Sequence, residues 1–212
     1  MIDVEEIQKY LPYYLTDSAR HSLLNELKSF PGNLDGRIFT SYLKEKGNIF
    51  QGDGFQDFLF VNLPDPTTGK MPAMVLSNTC DLDLKNERLF PKRVVYAPIF
   101  KLNKYRNALM EEHNGKEETK QSIDSHIDAI KKQKITDIFY LPKGEVLEDE
   151  SIVMFDRLNN LPADYLSCED IKQKRLFTLS DYGFYLFLIK LSIHFSRVKE
   201  EVNRSSGIEI FA

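Results

Sequence analysis

The stretch from Met71 to Asp81 constrains this chain most. Pro72-Ala73-Met74-Val75-Leu76 is apolar, has the length of a strand, and runs through Ser77 into the polar turn Asn78-Thr79-Cys80-Asp81. A short apolar run bounded by turn residues reads as a buried strand. Four further segments have the same character: Phe55 to Leu63, Arg93 to Phe100, Ile135 to Leu141 and Ser151 to Leu158. Gln51-Gly52-Asp53-Gly54 turns the chain into the first of them. Pro64-Asp65-Pro66-Thr67-Thr68-Gly69 forms a hairpin-type loop, where proline presets φ and glycine supplies a positive φ. Five short strands with polar turns predict a mainly β chain built as a small, partly closed antiparallel barrel. Its exposed edges would be covered by helices.

Three helical additions are expected. Residues 4–29 read as two short helices, with Ile7, Leu11 and Leu15 at helical spacing and Leu23, Leu24 and Leu27 after a cap at Asp17 or Ser18. Arg37 to Lys46 is ambiguous and is read as a third short helix. Leu102 to Glu112 and Glu117 to Gln133 form an inserted helical pair broken at Asn114-Gly115, with Ile123, Ile127 and Ile130 as an apolar stripe. The last helix, from Ser180 to about Asn203, is apolar nearly all round in its first half, so it is buried or covered by another chain. The expected division is a helical arm over 1–50, a barrel over 51–162 with the insertion at 102–134, and a C-terminal helix over 163–212.

Composition narrows the function classes. With 28 basic and 32 acidic residues the net charge is −4, so nucleic acid would need a local basic patch. Two cysteines, Cys80 and Cys168, make neither a disulfide framework nor a four-ligand zinc set, and a reducing cytoplasm is the simplest compartment. The longest apolar run, Tyr182 to Phe195, is interrupted by Lys190 and is shorter than the ~20 residues of a membrane span. No cofactor motif stands out.

Gly52-Asp53, the strand Asp57 to Leu63, the run Pro72 to Asn78 and Val94-Val95-Tyr96-Ala97-Pro98-Ile99 together resemble the MazF/PemK family of bacterial toxins. In that family a Gly-Asp opens the first strand. An Arg-Pro strand ends in Val-Leu-Ser-Asn, and a later strand ends in Pro-Ile-Thr. Gly144 to Leu147, Ser151 to Phe155 and Arg157-Leu158 resemble the family's closing Leu-x-x-x-Ser strand and Gln-Ile-Arg. The resemblance covers about residues 52–100 and 136–162. It implies an SH3-like barrel, often a homodimer, that cleaves single-stranded RNA and is restrained by an antitoxin. The ending Ser77-Asn78-Thr79-Cys80-Asp81 is similar to that of prokaryotic relatives in defence settings. The family's catalytic arginine position is Met71 here, with Lys70 before it. Its catalytic threonine position is Phe100, followed by Lys101. Neither Met nor Phe can move a proton or stabilise phosphorane charge, and lysine lacks arginine's fork.

Several side chains are candidates. Lys70, Cys80 and Asp81 are the catalytic ones. Cys80 would need a base, and His113, His126 and His194 are all distant in sequence; its bland reading is a small buried residue closing the barrel end. Asp81, Asp83 and Glu87 offer oxygen ligands to a hard cation, but three acids in a loop are ordinarily solvated surface. Lys70, Arg93, Phe100, Lys101 and Lys104 are the RNA-binding candidates, joined by Lys92, Arg106, Phe90, Tyr96 and Tyr105. Most flank strand ends expected to meet at one rim, where phosphate pairing and base stacking would combine. Lys190, His194 and Arg197 read as the polar edge of the last helix, and His21 as surface. The first reading is a MazF/PemK-like barrel of a toxin–antitoxin or phage-defence system. It would bind single-stranded RNA, or an antitoxin or defence-complex protein, without ribonuclease chemistry. The alternatives are an active endoribonuclease, a Cys80-dependent hydrolase, and a pure protein-interaction subunit.

Overall fold

The computed structural model describes residues 23, 25–26, 29–32, 34–83, 86, 89–113, 116–166 and 168–196. Of the two helices expected over residues 4–29, the first and most of the second lie outside these residues, as does the end expected for the last helix beyond Ser196; Leu23, Asn25 and Glu26 are helical.

The described chain is mainly β, with eight strands: β1 (Phe39–Thr40), β2 (Gly54–Asn62), β3 (Thr67–Val75), β4 (Arg93–Lys101), β5 (Ile138–Leu141), β6 (Ser151–Met154), β7 (Asn159–Pro162) and β8 (Arg175–Leu179). Every pairing is antiparallel, in the order β1-β8-β2-β3-β4-β6-β5, with β7 also on β4. The ladder is open, since no pairing joins β1 to β5 among the described residues. Five α-helices accompany it: α1 (Thr79–Leu82), α2 (Leu102–Glu112), α3 (Glu117–Lys131), α4 (Cys168–Lys174) and α5 (Asp181–Ser196). The inserted pair is therefore α2 and α3, and the long final helix is α5.

Some expectations are corrected. Arg37 to Lys46 is not a helix. Asp35 caps a single 3-10 turn over Gly36–Ile38, and the chain then enters β1. β3 starts at Thr67, because pairing with β2 from Asn62↔Thr67 onward carries the strand through the expected loop and past Gly69. The fifth expected strand, Ser151 to Leu158, ends at Met154 as β6, and β7 follows beyond its expected end, both along β4. Strand β8 and helix α4 were not expected. The charged run Lys172-Gln173-Lys174-Arg175 ends α4 and opens β8, which inserts between β1 and β2.

Both faces of the sheet are covered, and side-chain alternation assigns the covers. Phe139, Leu141, Val153, Ala97, Ile99 and Met74 face α5, whose Tyr182, Tyr185, Leu186, Phe187 and Ile189 complete one core. Phe139, Phe155 and Phe187 pack there with ring centroids 5.7 to 6.3 Å apart. On the other side Phe55, Phe58, Ala73, Val75, Val94, Tyr96 and Leu161 enclose a second core. Ile138, Tyr140, Ile152 and Met154 meet Ile123, Ile127 and Ile130 of α3 in a third. The apolar run of α5 is thus largely used inside the molecule. Ser180 caps α5: its Oγ accepts from Gly183 N at 3.2 Å and donates to the Arg37 carbonyl at 2.6 Å.

Two prolines set the geometry of the middle of the sheet. Proline cannot donate to a ladder. Opposite Pro72, β2 carries one extra residue, a bulge at Gln56-Asp57 with Asp57 at φ 59°. On the other side, the pairing of β3 with β4 stops at Ala73↔Pro98. Beyond that point Thr67 to Pro72 stay with β2, while Ile99 to Lys101 leave to pair with β6. The strands part like a fork.

Candidate functional site

The fork opens into a cleft of about 420 Å³. It is lined by Pro72 of β3, Ile99 and Lys101 of β4, Ser151 of β6, Gln56 of the bulge, Leu176 of β8, and Val146, Leu147, Glu148 and Asp149 of the β5–β6 loop. Each reaches it for a local reason. The bulge turns Gln56 out of the ladder. Alternation puts Ile99 and Lys101 on the same side of β4. Leu147 is buried in the α5 core and fastens the loop that carries the two acids. The floor is apolar and the mouth charged.

Lys101 Nζ pairs with Asp149 Oδ2 at 2.5 Å. The hydrogen bond from Lys101 holds the Asp149 carboxyl below its ordinary range, and Asp149 in turn raises Lys101. Glu148 adds to the field around the same ammonium. Two carboxylates therefore face one lysine in the lining.

The other sequence candidates do not gather here. Arg93 and Lys101 stand at opposite ends of β4, about 27 Å apart at roughly 3.4 Å per residue. The expected single basic rim is thus corrected. Arg93 Nε donates to Asn160 Oδ1 at 2.5 Å, and Lys92 to the Asp83 carbonyl. Lys70 is exposed on β3, on the face of Pro72 but two residues farther out. Lys104 is exposed on α2, and Arg106 is paired to Asp124 at 2.8 Å. Phe100 packs with the α3 core, with the Arg157 guanidinium 5.7 Å from its ring centre. Tyr105 meets His126 Nε2 at 3.1 Å. Tyr96 is buried and its hydroxyl donates to the Leu59 carbonyl. Phe90 is exposed.

Cys80 lies in the one-turn helix α1, away from the cleft lining. It is exposed, which corrects the expectation of a buried plug. The turn is made by Asn78, whose Oδ1 accepts from Cys80 N at 2.9 Å and whose carbonyl accepts from Asp81 N at 3.0 Å. Of the three acids considered for a cation, Asp81 and Asp83 are described and Glu87 lies outside the described residues. Among the described residues no group of three His, Cys, Asp or Glu is assembled for a metal. Lys190 is not the polar edge of α5 but is buried, donating to the Gln133 carbonyl at 2.5 Å. Burial lowers its pKa to about 8, against the pull of Asp137. His194 packs against Phe155. His21 and Arg197 lie outside the described residues.

Sequence reasoning missed the strongest polar feature. Asp53, part of the Gly52-Asp53 motif, is fully buried and pairs with Arg175 of β8 at 3.1 Å. Arg175 also donates to the carbonyls of Leu43, Lys44, Lys46 and Asn48. Its guanidinium lies 5.7 and 5.5 Å from the rings of Phe50 and Phe55. Desolvation raises Asp53 to about 6; Arg175 and the Phe50 N–H oppose it, so at neutral pH the carboxylate is ionised. The Thr178 hydroxyl lies beside it without a well-formed hydrogen bond. This cluster ties the 43–48 segment and β8 to β2. The cleft acids Glu148 and Asp149 were also missed, because nothing in a loop of mixed charge signals which side chains will meet a distant strand. No family model matches this chain, and no curated protein matches it.

Proposed function

We propose that this chain is a divergent MazF/PemK-like, SH3-like barrel protein of a bacterial toxin–antitoxin or phage-defence system. In this reading it binds a protein partner at the β3–β4 fork and does not cleave RNA. One observation carries the reading: Lys101, the cation in the cleft lining among the described residues, is held by Asp149 and faced by Glu148. A phosphodiester entering the cleft would meet two carboxylates, and the lysine would first have to leave its partner.

Other features support the family reading. The fork is formed by the two Pro-containing strands that carry the resemblance. The β2 stretch paired with β3 also reaches β7 and β4, with Val61 N donating to Asn159 Oδ1 at 3.0 Å and the Tyr96 hydroxyl to the Leu59 carbonyl. These two bonds and the shared Phe55, Phe58 and Tyr96 core support the barrel reading. At the positions of the family's catalytic arginine and threonine stand Met71 and Phe100, and Phe100 is engaged with the insertion.

The test is growth after induced expression of wild type and of a Lys70→Ala/Lys101→Ala variant, with total RNA examined on a gel. The expected result is normal growth and intact RNA from both. Growth arrest with RNA fragments from wild type alone would replace this reading with a lysine-based endoribonuclease.

A further inference from the structure

We propose that the fork takes an extended segment of a partner protein, in which a basic side chain stands beside Glu148 and Asp149 and an apolar neighbour rests on Ile99, Leu147 and Leu176. The proposal builds on the binding reading above and adds the chemistry of the occupant.

Three observations select it. The first is the edge. From Thr67 to Pro72, β3 is paired to β2 on one side and has no strand partner among the described residues on the side facing the fork. Outward backbone groups on such an edge accept an added strand, and alternating side chains then reach adjacent pockets. The second is size and lining. About 420 Å³, walled by Pro72, Ile99, Val146, Leu147 and Leu176, suits one or two side chains better than a folded surface. The third is charge. Asp149 is engaged by Lys101, while Glu148 is exposed at the mouth and makes no side-chain pair of its own in the cleft. An arginine or lysine completes that balance with a charge-assisted hydrogen bond. Lys70, two residues out on the same face of β3, puts the basic position at the loop end of the cleft rather than at the hairpin end.

The same edge argues against a second copy of this chain. Antiparallel pairing of two β3 edges would put two prolines without an N–H into the shared ladder, where a partner segment meets only one.

The experiment pans a random twelve-residue peptide library on the full chain and measures the selected peptides by fluorescence polarisation. It uses wild type, Glu148→Gln and Leu176→Asp, with poly(U) as a competing probe. Thermal melts of both variants check folding. Glu148 is exposed, so its variant keeps the wild-type melt even if Leu176→Asp does not. The expected result is enrichment of peptides with Arg or Lys next to an aliphatic residue. Their affinity should fall about tenfold on Glu148→Gln, the loss expected for one charge-assisted hydrogen bond. Acidic peptides that still depend on Leu176 would overturn the proposal while leaving a protein-binding cleft in place. Absence of enriched peptides, or binding displaced by poly(U), would overturn both.

Discussion

Arg175 shows how one side chain fastens distant parts of the chain. It satisfies four carbonyls of the 43–48 segment and the Asp53 carboxylate, and both side chains of the ion pair are out of contact with solvent. Removing one partner of a buried pair leaves the other charged and unpaired, which costs about 3–5 kcal/mol. Arg175→Met should therefore lower the unfolding free energy by that amount, read as a lower denaturant midpoint at unchanged m, and hydrogen exchange should show residues 43–48 losing protection first. An unchanged midpoint would mean the pair is dispensable. Lys190 gives a second test. Its folded pKa is depressed to about 8 from 10.5, so the unfolded chain binds the extra proton between those values. Stability from this group is then least below pH 8 and grows as pH rises toward 10.5. Wild type should gain on Lys190→Met across that window in paired melts. A constant difference would contradict the burial of the ammonium.

At the scale of elements, close approach decides where α5 sits. A Cβ on Gly183 would lie 2.2 Å from the Ile38 carbonyl oxygen, a backbone atom that cannot step aside alone. The absence of a side chain lets the helix press on the turn before β1, where Ser180 N also donates to that carbonyl at 2.8 Å. Gly183→Ala gains helix propensity of ~1 kcal/mol but must push the helix out of the core, at about 1–3 kcal/mol. The expected result is a lower melting temperature in differential scanning calorimetry; a stabilised variant would show the contact to be looser. The two prolines act at the same scale. Pro72 and Pro98 end a ladder on adjacent strands, and the parted strands leave the cleft.

At the scale of the whole molecule, the expected barrel and the segment after it share one sheet and one core. β8 lies between β1 and β2, and α5 supplies much of one core. A chain ending at Leu166 would expose Met74, Ala97, Ile99, Phe139 and Val153 and would lose both β8 and Arg175. It should show no cooperative unfolding by circular dichroism, whereas a folded 51–162 barrel would melt as a unit. The outcome decides whether the expected boundary at 163 separates independent parts.

Local pattern alone determined β2, most of β3, β4, the helical pair and the apolar core of α5, because strand alternation and helical spacing are carried by neighbouring residues. Phe55 to Leu63 and Arg93 to Phe100 were legible within a residue or two. The site was legible only in its strands: Pro72, Ile99 and Lys101 lie in segments that could be read, and the partners that give them meaning do not. Asp149 is 48 residues from Lys101, and Arg175 lies more than a hundred residues from the carbonyls it holds. A charged side chain in a polar run carries no local mark of burial. Whether Arg175 and Lys190 are inside, and whether Lys101 is paired, was decided by the tertiary fold, which alone fixes the dielectric and the counter-charge around each group.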